Sequence, residues 1–357
     1  MQFGIWSADY TQITGQALVT ARVVRQQRAV WREYLYRGRG WRSVLTWTQA
    51  VACLWRDIVL GRVRSLYLVC SRSNGGFLRD IPALLSAMVG VRVVVHAHGS
   101  DIVDLLSSRW LSRLARGLYA GCEVVVPSTH ILEPLRKVTV APLHLCENYF
   151  AGGYSNVINA LPAPGVLTVL WNSNVMASKG FFDLTKAIRR VRTDGIPARL
   201  VSIGQPLSDE EMISQNVSYR LQALLAHEWL DHHGKVDPAT AVALAEQADV
   251  VCLPSRYRSE CQPLAIIHAM CTGKAIVVSD IPALRATVGD YPACFVPVRS
   301  VDAIANALRI LHDQKQADPV AFASSRKEAA AAARKRFSAE RFDREMAAIL
   351  RLDVAAE

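Results

Sequence analysis

The chain alternates short, continuous apolar runs with longer segments whose apolar residues recur every three or four positions. The first half holds QFGIW (2–6), LYLVC (66–70), VRVVVHA (91–97) and EVVVP (123–127). The second holds VLTVLW (166–171), RLVSIG (199–204), DVVCLP (249–254) and AIVVS (275–279). A strand with no polar side has both faces covered, which is the condition of a parallel strand between helix layers. Between these runs, FFDLTKAIRRV (181–191) places apolar residues at 181, 184, 188 and 191, one face of a helix. The pattern predicts α/β architecture with two Rossmann-like, doubly wound parallel sheets. A length of 357 residues is more than one compact core holds, so two domains are expected. The segment FAGGYSNVINALPAPG (150–165), rich in Gly, Pro, Ser and Asn, reads as the junction. The expected domains are 1–150 and 166–357, with a linker at 151–165. Ligands of such sheets bind at the carboxyl ends of the strands, here in a cleft that both domains face. The last helix, roughly 338–352, can cross back to the first domain.

Several classes are excluded by composition. At 51% hydrophobic and 20% charged, the chain is not a disordered one. Its eight cysteines (53, 70, 122, 146, 252, 261, 271, 294) form no CxxC pair and sit mostly among apolar residues. They read as reduced core thiols of a cytoplasmic protein. The start, MQFGIWSAD, lacks the basic and apolar regions of a signal peptide. Ser43 to Trp55 is free of charge, but at 13 residues it falls short of the ~20 that span a bilayer.

Charge is unevenly placed. Residues 1–150 hold 18 Lys and Arg against 9 Asp and Glu, and the remainder 23 against 22, so nearly all of the net +10 lies in the first half. Only Lys137 among those 18 is lysine. Arginine forks suit phosphates, so an anionic membrane surface, a phosphate-bearing acceptor and nucleic acid all fit, beside a merely solvated basic face. Nucleic acid is the weakest of these, because no recognition helix or aromatic-studded basic β-surface is present. RGRGWRSVLTWTQAVACLWRDIVLGRVR (37–64) sets Trp41, Trp47, Trp55 and Arg56 along an apolar helix. That is either an interfacial helix at the inner face of the plasma membrane or a core helix with a basic rim.

Four strand exits carry the candidate site. In SECQPLAIIHAMCTG (259–273), Glu260 precedes a helix expected over about 263–272, with Pro263 in the first turn and Gly273 at the stop. Free N–H groups at that helix start suit an anion, and His268 leans back toward it. In LWNSNVMASKGFFDL (170–184), Lys179 offers a point charge and Gly180 a close approach. VVVHAHGSD (93–101) ends a strand at His98, and DYTQITGQALVTARVV (9–24) places Gly15 before a helix. Each residue also has a plain reading: a helix-flanking carboxylate, a core histidine, a surface lysine, a strand-end histidine. His96 and His98 share a strand face, but no third ligand at suitable spacing accompanies them, so no metal is expected. His232 and His233 read as loop residues.

The stretch ADVVCLPSRYRSECQPLAIIHAMCTGKAIVVSD (248–280) resembles the signature of family 4 glycosyltransferases of the GT-B fold. Lys179-Gly180 and His98-Gly-Ser-Asp101 fall where that family places its diphosphate lysine and acceptor-side histidine. SRSNGGFLRDIPALL (71–85) is similar to bacterial polysaccharide-assembly members. The resemblance covers nearly the whole chain. It implies a retaining, hexosyltransferase-type enzyme, a nucleotide-diphosphate sugar as co-substrate and a lipid-linked or growing glycan acceptor, with no metal cofactor. It implies that Glu260 touches sugar hydroxyls, that Lys179 and the N–H groups around Leu264 and Ala265 hold the diphosphate, and that His98 sits beside the transferred sugar. It also implies that Gly15 lets the first loop approach the donor. Two positions depart from the family. His268 stands where a second glutamate holds the ribose, and a neutral imidazole makes one such bond, not two. Asn174 stands where an arginine is frequent; Arg256 and Arg258 are candidates to replace that cation. Epimerases and phosphorylases share the GT-B fold and form the second reading.

Overall fold

The computed structural model describes residues 3–10, 15–26, 31–38, 40–71, 73–107, 110–150, 152 and 165–352. The chain divides into one unit of Met1–Asn148 with Glu340–Glu357, and a second of Tyr149–Ala339. Most of the expected linker, residues 151 and 153–164, lies outside the described residues.

The first unit holds β1 (Phe3–Ala8), β2 (Trp31–Tyr36), β3 (Ser65–Val69), β4 (Arg92–His96), β5 (Cys122–Val126) and β6 (Leu143–Leu145). They lie in the order β2-β1-β3-β4-β5-β6, every pairing parallel. The second unit holds β7 (Leu167–Asn172), β8 (Ala198–Ile203), β9 (Leu230–Gly234), β10 (Val250–Leu253), β11 (Ala275–Ser279) and β12 (Cys294–Val296). Their order is β12-β11-β10-β7-β8-β9, again all parallel. All eight apolar runs became strands. His232 and His233, read above as loop residues, instead lie in β9, where His232 Nδ1 meets the Ser202 hydroxyl of β8 at 3.1 Å.

Chain order reverses once in each sheet. The first sheet grows from β1 to β2 on one side and through β3 on the other. The second grows from β7 through β8 and β9, then restarts on the opposite side with β10. Crossover loops at such a point leave in opposite directions and open a crevice at the carboxyl ends of the two strands. The crevice points are therefore β1/β3 and β7/β10.

The helix Ala339–Leu350, within the range given to the second domain but expected to be able to cross back, belongs to the first unit. Its buried face is Phe342, Met346, Ala347 and Leu350. Arg22 grips Asp343 through two bonds of 2.8 and 2.6 Å, and Arg92 donates to the Leu350 carbonyl at 3.1 Å. The second contact satisfies a carbonyl that the helix end leaves without an internal partner.

Candidate functional site

In the second unit, the loops after β7 and β10 are pressed together. Gly180 takes φ +86° at the cap of the helix Phe181–Thr193. A Cβ there would stand 2.2 Å from the Pro254 carbonyl oxygen, so no side chain fits. The Arg256 N–H donates to the Ser178 carbonyl at 2.8 Å and joins the two loops. Ser178 in turn donates its N–H and hydroxyl to Asp209 at 2.7 and 2.8 Å.

This closeness brings Lys179 onto Glu260. The ammonium stands 3.4 Å from both carboxylate oxygens and 5.6 Å from the centre of the Tyr257 ring. Charge-assisted bonds run nearer 2.8 Å, so the ammonium is bracketed but not tightly bound. Glu260 itself is buried and held: the Ser255 hydroxyl donates to it at 2.7 Å, and its own N–H donates to the Tyr257 carbonyl at 3.0 Å. The site thus has a fixed carboxylate and a cation free to shift toward an arriving anion.

Beside this pair begins the helix Leu264–Cys271. Pro263 is its cap and not, as expected, part of its first turn; its ψ of 123° is extended. The Pro263 carbonyl accepts from the N–H of Ile266 and Ile267. No side chain caps the helix start, so the N–H groups of Leu264 and Ala265 are open to an anion. Gly273 closes the other end at φ +73°. Further along, the half-buried His268 ring packs edge-to-face on Phe150, centroids 5.2 Å apart. Burial lowers this imidazole to about 4, so it is neutral near pH 7.

Asn174 braces the loop, its side-chain oxygen accepting the Gln205 N–H at 3.3 Å. Arg256 does not stand in for the missing cation. Its guanidinium is spent on Glu211, at 2.8 and 2.6 Å, and on Asp183, at 2.6 Å. Arg299 adds a bond of 2.8 Å to the same Glu211. Burial opposes the Arg256 charge, but these carboxylates raise its pKa above the ordinary range. Arg256 is a latch on the loop that carries Glu260. Sequence reasoning missed this role and that of Ser255; the serine's only signal is its place five residues before Glu260.

In the first unit, His98 follows β4 and packs against His96, centroids 4.1 Å apart with the rings tilted by 36°. His96 Nδ1 meets the Tyr67 hydroxyl at 2.7 Å, and burial lowers its imidazole to about 3. Gly15 opens the helix Gly15–Gln26, while residues 11–14 before it lie outside the described residues. Among the described residues no three His, Cys, Asp or Glu side chains stand where they could hold a metal ion. Trp41, Trp47, Trp55 and Arg56 lie on the helix Trp41–Val59. Trp41 is 69% exposed, but Trp47 and Trp55 are half-buried, and the Trp47 indole donates to the Arg79 carbonyl at 2.9 Å. Arg56 is occupied with Asp57 at 3.2 Å.

Residues 167–314 match the family model described as Glycosyl transferases group 1. Phosphatidyl-myo-inositol mannosyltransferase of Mycolicibacterium smegmatis is 41% identical over 96 residues, 26% of this chain and 25% of that protein. The match thus spans about a quarter of that relative's length. HepE of Anabaena, solved with UDP and glucose, matches with a TM-score of 0.73 at 15% identity, over 98% of this chain and 99% of its own. Sucrose-phosphate synthase of Thermosynechococcus elongatus matches with a TM-score of 0.74 at 16% identity, over 100% of both chains. Two six-stranded parallel α/β sheets of this kind are the GT-B fold.

Proposed function

From the match of residues 167–314 to the group 1 glycosyl transferase model, we propose that this protein is a retaining glycosyltransferase. It would move a sugar from a nucleotide-diphosphate donor to a lipid-linked or growing surface-glycan acceptor. The observation that carries this reading is the meeting of Lys179 and Glu260 at the β7/β10 crevice, beside an uncapped helix start. A diphosphate seated on the N–H groups of Leu264 and Ala265 draws the Lys179 ammonium from its long contact with Glu260. The carboxylate is then free to accept a sugar hydroxyl. As the bond from the sugar to the diphosphate breaks, negative charge gathers on the leaving oxygen, where the ammonium and helix start already point. The new bond forms on the same face with the acceptor hydroxyl, whose proton passes to the departing phosphate. His98 is assigned to the transferred sugar on the family resemblance, and no step needs a metal.

The test is a thermal-shift panel of UDP, GDP and ADP on the wild type and on His268→Glu. One nucleotide at 100 times its Kd stabilises by about 2.7 kcal/mol, a rise of roughly 5–10 °C for a unit of this size. His268→Glu is expected to enlarge that shift, because a carboxylate accepts two ribose hydroxyls where the neutral imidazole accepts one. A panel in which neither protein responds to any nucleotide overturns the donor-site reading.

We assign the membrane contact to the helix Trp41–Val59. It buries Ala50, Leu54 and Asp57 but exposes Trp41, Val44, Leu45 and Val59, the last by 81%. These apolar side chains stand among the arginines of the basic half, as at an anionic interface. No helix among the described residues is long and apolar enough to cross a membrane. Phosphatidylcholine vesicles with phosphatidylserine should sediment the protein, those without it should not, and Trp41→Ser should weaken the binding. Equal sedimentation with both vesicle types removes the membrane assignment.

A further inference from the structure

The first unit has its own crevice, between β1 and β3, and one arginine there is largely unspent. Arg79 lies in the second turn of the helix Asn74–Leu84. Helical side chains lean toward the helix start, which here adjoins the carboxyl end of β3. The Arg79 guanidinium donates to the Ser71 hydroxyl at 3.1 Å. Its carbon lies 4.1 Å over the ring of Tyr36, the last residue of β2. Its Nε is shut off from solvent with no hydrogen-bond partner.

Among the described residues no carboxylate forms an ion pair with this guanidinium, although the Asp80 carboxyl lies near enough to feel its charge. The neighbouring Asp80 is occupied, accepting from the Trp6 indole at 2.9 Å and from the Ser71 N–H at 3.0 Å. Burial pushes the Asp80 carboxyl above its ordinary value, which weakens its hold on the cation beside it. A guanidinium has five N–H donors in a planar fork, and one here is used. Several arginines of the second unit differ: Arg256, Arg285 and Arg309 each have a carboxylate partner. A half-buried arginine, backed by an aromatic ring and lacking an ion pair at a ligand crevice, is built for a tetrahedral oxyanion.

We propose that Arg79, with the Ser71 hydroxyl, binds a phosphate ester carried by the acceptor, with the Tyr36 ring fixing the plane of the guanidinium. This rests on the reading that the protein has an acceptor, but it uses none of the donor-site residues. Lipid phosphates and sugar phosphates carry the same group, and the experiment separates them.

The full chain is titrated calorimetrically with geranyl phosphate, geraniol, glucose 6-phosphate and glucose, as wild type, Arg79→Met and Arg79→Lys. One phosphate ester is expected to bind the wild type better than its alcohol. Its Kd should rise about tenfold or more in Arg79→Met, as for loss of a charge-assisted pair, and less in Arg79→Lys. Geranyl phosphate as that ester means a lipid-linked acceptor; glucose 6-phosphate means a sugar phosphate. The nucleotide shift of Arg79→Met should equal that of the wild type, which shows the variant folded. Equal affinity in wild type and Arg79→Met overturns the proposal, as does binding of neither ester to the wild type. Arg79-dependent ester binding with no nucleotide shift at all leaves this site standing and removes the donor reading alone.

Discussion

Glu260→Gln is expected to slow sugar transfer about 100- to 1000-fold, the cost of removing one preorganised polar group from a charge-developing site. The substitution keeps the shape and the Ser255 contact of 2.7 Å, so the loop stays in place. What it removes is the negative charge that brackets Lys179 at 3.4 Å and would accept the donor's hydroxyls. A neutral amide releases the ammonium and offers one acceptor oxygen where the carboxylate offers two. Lys179→Ala should fall as far, and the double variant little further, because the pair acts as a unit. The measurement is the rate of nucleoside diphosphate release from the sugar nucleotide that the shift panel selects, with a membrane extract as acceptor source. A Glu260→Gln protein that melts like the wild type and turns over at the wild-type rate would falsify the site.

The largest stability effect is expected at the opposite end of the same sheet. Lys315, on the helix Val301–Ala317, is buried with its ammonium 2.8 Å from Asp249 and 2.7 Å from the Val166 carbonyl. Asp249 also accepts the Thr168 N–H at 2.7 Å and immediately precedes β10. These bonds tie the helix to the amino ends of β7 and β10, the two central strands. Lys315→Met leaves an ionised carboxylate in the interior without its cation, which costs about 3–5 kcal/mol. Asp249→Asn in the same chain should recover much of that, because no charge is then left alone. Burial already holds the Asp249 carboxyl above its ordinary value. Without the ammonium it rises further, so the loss is full near neutral pH and shrinks as pH falls and the carboxyl protonates. Urea unfolding at two pH values reads both effects. A loss under about 1 kcal/mol at neutral pH, within the range of exposed pairs, would show that the pair does not hold the sheet together.

The strands that sequence reading found and those it missed differ in one physical respect. The eight runs it found all became strands, and none lies at a sheet edge. The four it missed, β2, β6, β9 and β12, are the four edge strands. A central strand of a parallel sheet is covered on both faces, and its residues are apolar throughout. An edge strand is partly wetted. WREYLY in β2 mixes charge into the run, LDHHG in β9 is mostly polar, and LHL and CFV are three residues long. Nothing in their periodicity separates them from loop.

The candidate site divides in a similar way. Glu260, Lys179, Gly180 and the helix start at Leu264 were readable because their chemistry depends on neighbours in the chain: a glycine before a helix, a carboxylate before another. The Arg256 latch was not, because Asp183 is 73 positions away and Glu211 is 45. Nor was the contact of His268 with Phe150, or the Lys315–Asp249 tie across 66 positions. Local pattern determined which segments are strands and helices and which residue types stand at the strand ends, since burial on two faces and helix termini leave marks within a few residues. Which side chains are spent on partners, and which remain to meet a ligand, was decided only when the sheet order placed β10 beside β7 and β3 beside β1. Hydrogen bonds between distant segments depend on that order, and no local periodicity encodes it.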